Sequence, residues 1–109
     1  MLNRIDLRAS ARARLVDSIL QDAQAGDCET ANARAEDGGG VGGLLFVCPG
    51  CRAIGSLPTK GPRAWTVVEG DVSRPESLTL SPSILHDSPT VGGRCGWHGY
   101  LTKGVFVPC

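Results

Sequence analysis

Cysteines at 48 and 51, separated by Pro49-Gly50 and preceded by the apolar run from Leu44 to Val47, constrain this chain more than any other feature. A Cys-x-x-Cys step in a tight turn brings two sulfurs toward one point, and the turn amides can hydrogen-bond the thiolates. The chain has 109 residues, fifteen of them glycine and five cysteine. So short a chain buries a small share of its surface, and its glycines cost backbone entropy on ordering. Domains of this kind are usually stapled by a disulfide or a metal. The odd cysteine count leaves a disulfide framework incomplete, and no apolar run follows the basic N-terminus as a secretory signal would. The expected setting is therefore a reducing compartment, where thiols persist as metal ligands.

A redox Cys-x-x-Cys of the thioredoxin kind opens a helix within a βαβ unit. Here Gly55 and Pro58 interrupt any such helix, so zinc is predicted over redox chemistry. A second pair is on offer: Cys95-Gly96-Trp97-His98 repeats the spacing with one sulfur and one imidazole, and Cys109 adds a further thiol. The predicted metal ligands are thus Cys48, Cys51, His98, Cys95 and Cys109, one more than a tetrahedral site takes. Cys95 and Cys109 compete for the last place. His86 has no cysteine near it and is read as a surface or core histidine, and Cys28 as a spare thiol.

Around this centre the sequence predicts an α+β chain in three parts. Residues 1–26 read as an amphipathic helical arm, with Asn3 as N-cap, Ile5, Ala9, Ala13, Val16 and Leu20 on one face, and Gly26 as the stop. Residues 27–43 read as an acidic, glycine-rich linker. Residues 44–109 read as a small zinc-stapled antiparallel β domain, with strands near 44–47, 64–69, 78–80, 83–85, 99–102 and 105–107 and a Lys103-Gly104 hairpin turn. No apolar stretch is long enough to cross a bilayer, so no membrane partner is expected.

Eleven basic and eleven acidic side chains cancel. Arg4, Arg8, Arg12 and Arg14 nevertheless make the start basic and give an alternative reading as a nucleic-acid-binding module. Zero net charge and few aromatics count against it. Cys48-Pro49-Gly50-Cys51 also matches half of a zinc deaminase signature, but neither histidine carries the glutamate of the other half, and no phosphate-cradling loop is present. A zinc-dependent hydrolase or deaminase is therefore the third reading, and no enzyme is expected.

Cys48-Pro-Gly-Cys51, Trp65, Gly70-Asp71, Pro75, the run Leu78-Thr-Leu-Ser-Pro-Ser-Ile-Leu85, His98-Gly-Tyr100 and Gly104 form an ordered series. Over Phe46 to Cys109 the chain resembles a family of small zinc-binding bacteriophage and prophage proteins of unknown function, some of which carry the label ammonia monooxygenase. By that resemblance Cys48, Cys51, His98 and Cys109 match the family's ligand pattern, with Cys95 displaced by the Gly96-Trp97 insertion. Ser81-Pro82-Ser83 reads as a fixed bend near the metal rather than a serine nucleophile, because no base is visible for either hydroxyl. The resemblance implies a non-enzymatic, zinc-stapled phage protein: a structural or protein-interaction module, as in a virion. Its partners would be other phage proteins or further copies of itself, in host cytoplasm or virion.

Overall fold

The computed structural model describes residues 5–21, 23–90 and 93–109. Their strands, in chain order, are β1 (Ala11–Arg12), β2 (Arg14–Leu15), β3 (Asp27–Asn32), β4 (Val41–Val47), β5 (Ile54–Pro58) and β6 (Thr66–Asp71). There follow β7 (Arg74–Ser81), β8 (Ile84–His86), β9 (Pro89–Thr90), β10 (Gly93–Arg94), β11 (Trp97–Thr102) and β12 (Val105–Pro108). One sheet has the order β1-β12-β11-β8, a second β2-β3-β4-β5; β6-β7 and β9-β10 are two-stranded ribbons. All pairings are antiparallel except β2 with β3. Phe46 joins the two sheets by stacking on Phe106 at 5.3 Å, and Trp97, in the same sheet as Phe106, meets that ring edge-on at 6.4 Å. Leu44, Leu57, Leu78, Ile84 and Leu101 fill the core around these rings.

The predicted α+β class gives way to an all-β fold. Among the described residues the one helical element is a 3-10 turn at Ala35–Asp37. Residues 8 to 14 alternate Arg, Ala, Ser, Ala, Arg, Ala, Arg, and the structure turns the alanines inward, with Ala13 buried. That period of two belongs to a strand. Alanine and arginine favour helix intrinsically, but the backbone finds better partners in the sheets. The Ala13 N–H donates to the Gly104 carbonyl at 2.8 Å, and the Trp97 indole N–H to the Ala9 carbonyl at 2.9 Å. The supposed apolar face is not buried as one: Leu20 is 80% exposed. Asn3 and Arg4 lie outside the described residues.

The predicted linker contains a central strand. β3 pairs with β4 and carries Cys28 into the core. Gly26, ahead of it, has φ +89°, and a Cβ there would collide with the Arg12 carbonyl. The acidic residues are used locally. Asp27 takes two bonds from Arg14, at 3.0 Å from Nε and 3.1 Å from Nη2, and one from the Gln24 N–H at 2.9 Å. Burial raises the Asp27 pKa, but these donors outweigh it and hold the carboxyl below its ordinary 3.8. The strands expected in the C-terminal part are present, and Lys103 (φ 48°) with Gly104 (φ 77°) makes the tight β11–β12 turn.

Candidate functional site

β8 and β11 are neighbours, with Ile84 opposite Gly99, Leu85 opposite His98 and His86 opposite Trp97. Alternation sends Ile84 and His86 inward with Trp97, Gly99 and Leu101, while Leu85, His98 and Tyr100 face outward. Each face of this strand pair carries a distinct set of reactive side chains.

On the inner side, Cys48, Cys51, His86 and Cys95 are all buried and offer four ligand atoms within 4.8 Å of one another. Cys48 and Cys51 lie in the turn after β4, which closes through Arg52 N–H to Cys48 O at 2.9 Å and Cys48 N–H to Ala53 O at 2.9 Å. Cys95 follows β10, anchored by its N–H to Ser88 O at 2.9 Å. Each sulfur accepts a backbone N–H from two residues on: Gly50 to Cys48 at 3.3 Å, Ala53 to Cys51 at 3.4 Å and Trp97 to Cys95 at 3.4 Å. This is the setting of metal-bound thiolates.

The spacing fits a tetrahedral metal. Cys48 Sγ and Cys95 Sγ are 3.7 Å apart, and Cys51 Sγ and His86 Nδ1 3.6 Å. Ligands at about 2.3 Å for sulfur and about 2.0–2.1 Å for nitrogen around a tetrahedral zinc lie about 3.8 and about 3.6 Å from each other. All five cysteines are free thiols. Burial pushes Cys48 up to about 12 and raises Cys95, so thiolates here need a cation to offset desolvation. Burial lowers His86, keeping its imidazole neutral as a ligand must be. Its Nε2 lies 2.9 Å from Ser88 Oγ, and an N–H donated there leaves the Nδ1 lone pair facing the sulfurs. These four residues can hold a metal ion.

Of the predicted ligands, the structure brings Cys48, Cys51 and Cys95 together and leaves out His98 and Cys109. His98 points outward on β11, and exposed Cys109 donates its backbone N–H to the His98 carbonyl at 3.0 Å. The Cys95-to-His98 spacing suggests one knuckle, but strand geometry puts the histidine on the opposite face from the cluster. His86, read as a bystander, occupies that place. Cys28 is buried elsewhere, its thiol donating to the Gly26 carbonyl at 3.3 Å and pushed up to about 12 by burial. The N-terminal arginines form no helical stripe: Arg12 and Arg14 lie on strands, and Arg14 is paired with Asp27. Arg4 lies outside the described residues.

On the outer face, Ser83 Oγ and His98 Nε2 are 2.8 Å apart. Ser83 precedes β8, two residues before Leu85, so it is the diagonal cross-strand neighbour of His98. The Trp65 indole N–H donates to the Ser83 carbonyl at 3.3 Å and fixes the approach to the strand. The imidazole that the sequence reading did not find for Ser83 is thus that of His98, the residue assigned to the metal. The signal is the shared step of three residues: Ser83 stands three before His86, and His98 three after Cys95. An odd step along a strand places the two members of each pair on opposite faces.

A hydroxyl bonded to an imidazole in this way is the nucleophile–base pairing that serine hydrolases use. The sequence model of the BubE family, described as bacterial ubiquitination-like system serine protease, matches residues 16–109, and the chain belongs to that family. No curated protein and no solved structure matches the chain. A protease family overturns the expectation of a non-enzymatic virion or interaction module.

Proposed function

We propose that the chain is a serine protease in which Ser83 is the nucleophile and His98 the general base, on a scaffold stapled by zinc. The observation that carries this reading is the 2.8 Å contact between Ser83 Oγ and His98 Nε2. Ser83 Oγ attacks the scissile carbonyl carbon while His98 Nε2 takes its proton. The imidazolium returns that proton to the leaving amine or alkoxide as the carbon–heteroatom bond breaks, leaving an acyl ester on Ser83. Water, deprotonated by the same imidazole, then releases the acyl group and restores the hydroxyl. The family description supports placing the scissile carbonyl in a protein substrate of a ubiquitination-like system.

We assign zinc to Cys48, Cys51, Cys95 and His86 in a structural role. Four protein ligands fill a tetrahedral shell, and a closed site holds the backbone together. Its contribution to the reaction is positional: the ligand His86 anchors the strand that carries Ser83, and the ligand Cys95 the strand that carries His98. Treatment with a fluorophosphonate, followed by intact-mass and peptide analysis, tests the nucleophile. Labelling at Ser83, lost in Ser83→Ala and strongly slowed in His98→Ala, is the expected result. Labelling elsewhere, or a rate unchanged in both variants, contradicts the assignment.

A further inference from the structure

β8 is the edge strand of its sheet, and its hydrogen-bonding groups can be followed residue by residue. The His98 carbonyl accepts the Cys109 N–H, so His98 directs its backbone toward β12 and its neighbour Gly99 toward β8, while the His86 carbonyl takes the Gly96 N–H at 3.0 Å. Ile84 and His86, opposite Gly99 and Trp97, therefore bond to β11. The outward-directed positions on β8 and at its two ends are Ser83, Leu85 and Asp87. The Ser83 carbonyl is taken by the Trp65 indole at 3.3 Å, and the Asp87 carbonyl by Arg94 Nη2 at 2.7 Å. Leu85, opposite His98, directs its N–H and C=O away from β11, toward the open edge.

This one-residue gap adjoins the dyad. Ser83 and His98 occupy one diagonal of a cross-strand square whose other corners are Leu85, opposite His98, and Tyr100. Both flanking side chains are exposed, Leu85 by 62% and Tyr100 by 47%. An open edge with free main-chain groups is the standard receptor for an extended peptide, and apolar neighbours offer a seat for its side chain.

We infer that the acyl side of the substrate binds as an extended strand segment, one residue of which exchanges two main-chain hydrogen bonds with Leu85. A side chain of that segment packs on Leu85 and Tyr100. The inference rests on Ser83 being the nucleophile. Two residues of strand span about 7 Å, so the paired residue lies about two positions before the scissile carbonyl. The substrate class is an unfolded peptide tail with an apolar residue near its end, recognised mainly through its backbone.

The test uses p-nitrophenyl esters of N-acetylated peptides, one and four residues long, on the full zinc-loaded chain. For the wild type, kcat/KM should rise about tenfold or more from the short ester to the long one. N-methylation of the long ester at a single internal amide should remove about fivefold to tenfold, the worth of a main-chain bond. Leu85→Pro deletes the outward N–H without touching the bonds to β11 and should lower the long-to-short ratio, whereas Leu85→Ala should keep the N-methyl sensitivity. The methylated ester probes the wild-type protein, so the test survives a Leu85→Pro chain that does not fold. Equal rates for short and long esters, or indifference to N-methylation at every position, would overturn the docking mode if Ser83→Ala is inactive. Turnover persisting in Ser83→Ala would overturn the nucleophile, and the docking mode with it.

Discussion

The two faces of the β8–β11 pair are made from interleaved residues and have opposite chemistry. Inward lie His86 and the Cys95 turn, buried among sulfurs, with thiol pKa values raised and the imidazole pKa lowered by desolvation. Outward lie Ser83 and His98, bonded to each other at the surface. The inner face has the charge-stabilising demand that a metal answers, and the outer face has the access that a substrate needs. A strand delivers both because consecutive residues face opposite ways, and a slip of one residue would exchange the two sets. A metal held by the inner cluster would fix the register that sets Ser83 beside His98.

The contrast can be broken most sharply at the dyad. Ser83→Ala and His98→Ala should each lower kcat by about a thousandfold or more, as loss of a nucleophile or its base does. Both positions lie on the outer face, so the urea midpoint and zinc content should stay at wild-type values. Breaking the inner face should cost both properties. Cys48→Ser or His86→Ala should lose stoichiometric zinc by mass spectrometry, lower the melting temperature steeply, and abolish fluorophosphonate labelling, since metal binding and folding are coupled. Cys95→Ser should behave as those variants do, whereas Cys109→Ser should retain zinc and activity. Equal behaviour of the two would erase the distinction drawn between the faces.

Smaller effects sharpen the supporting structure. Trp97→Ala removes a fully buried ring and its bond to Ala9, and should cost about 3–5 kcal/mol in urea unfolding. The mildest effect concerns pH. Asp27 titrates below its ordinary value in the fold, so the unfolded chain binds its proton more readily. Its stabilising contribution is present above about pH 3.8 and is lost as pH falls through the folded-state value. Asp27→Asn should therefore flatten the acid limb of a plot of urea midpoint against pH.

How far the sequence disclosed all this follows from the range of each signal. Cys48 and Cys51 are readable because a two-residue turn binds them locally. Cys95 is readable as a soft donor that needs partners. His86 and His98 exchange roles because adjacency to cysteine is a knuckle signal, whereas here strand alternation decides which way each ring points. Ser83 and His98 meet only through the pairing of β8 with β11, and no local pattern states that pairing. The N-terminal segment misleads for a related reason. Its alanines satisfy a helical period and a strand period at once, and only the distant partners Gly104 and Phe106 choose between them.

In the proposed arrangement, metal on one face holds Ser83 and His98 in place on the other. Its most direct test follows fluorophosphonate labelling of Ser83 while a chelator removes zinc and added zinc restores it. Labelling should fall in proportion to the zinc lost and return with the metal. Ser83 labelled at the full rate in metal-free protein would contradict it.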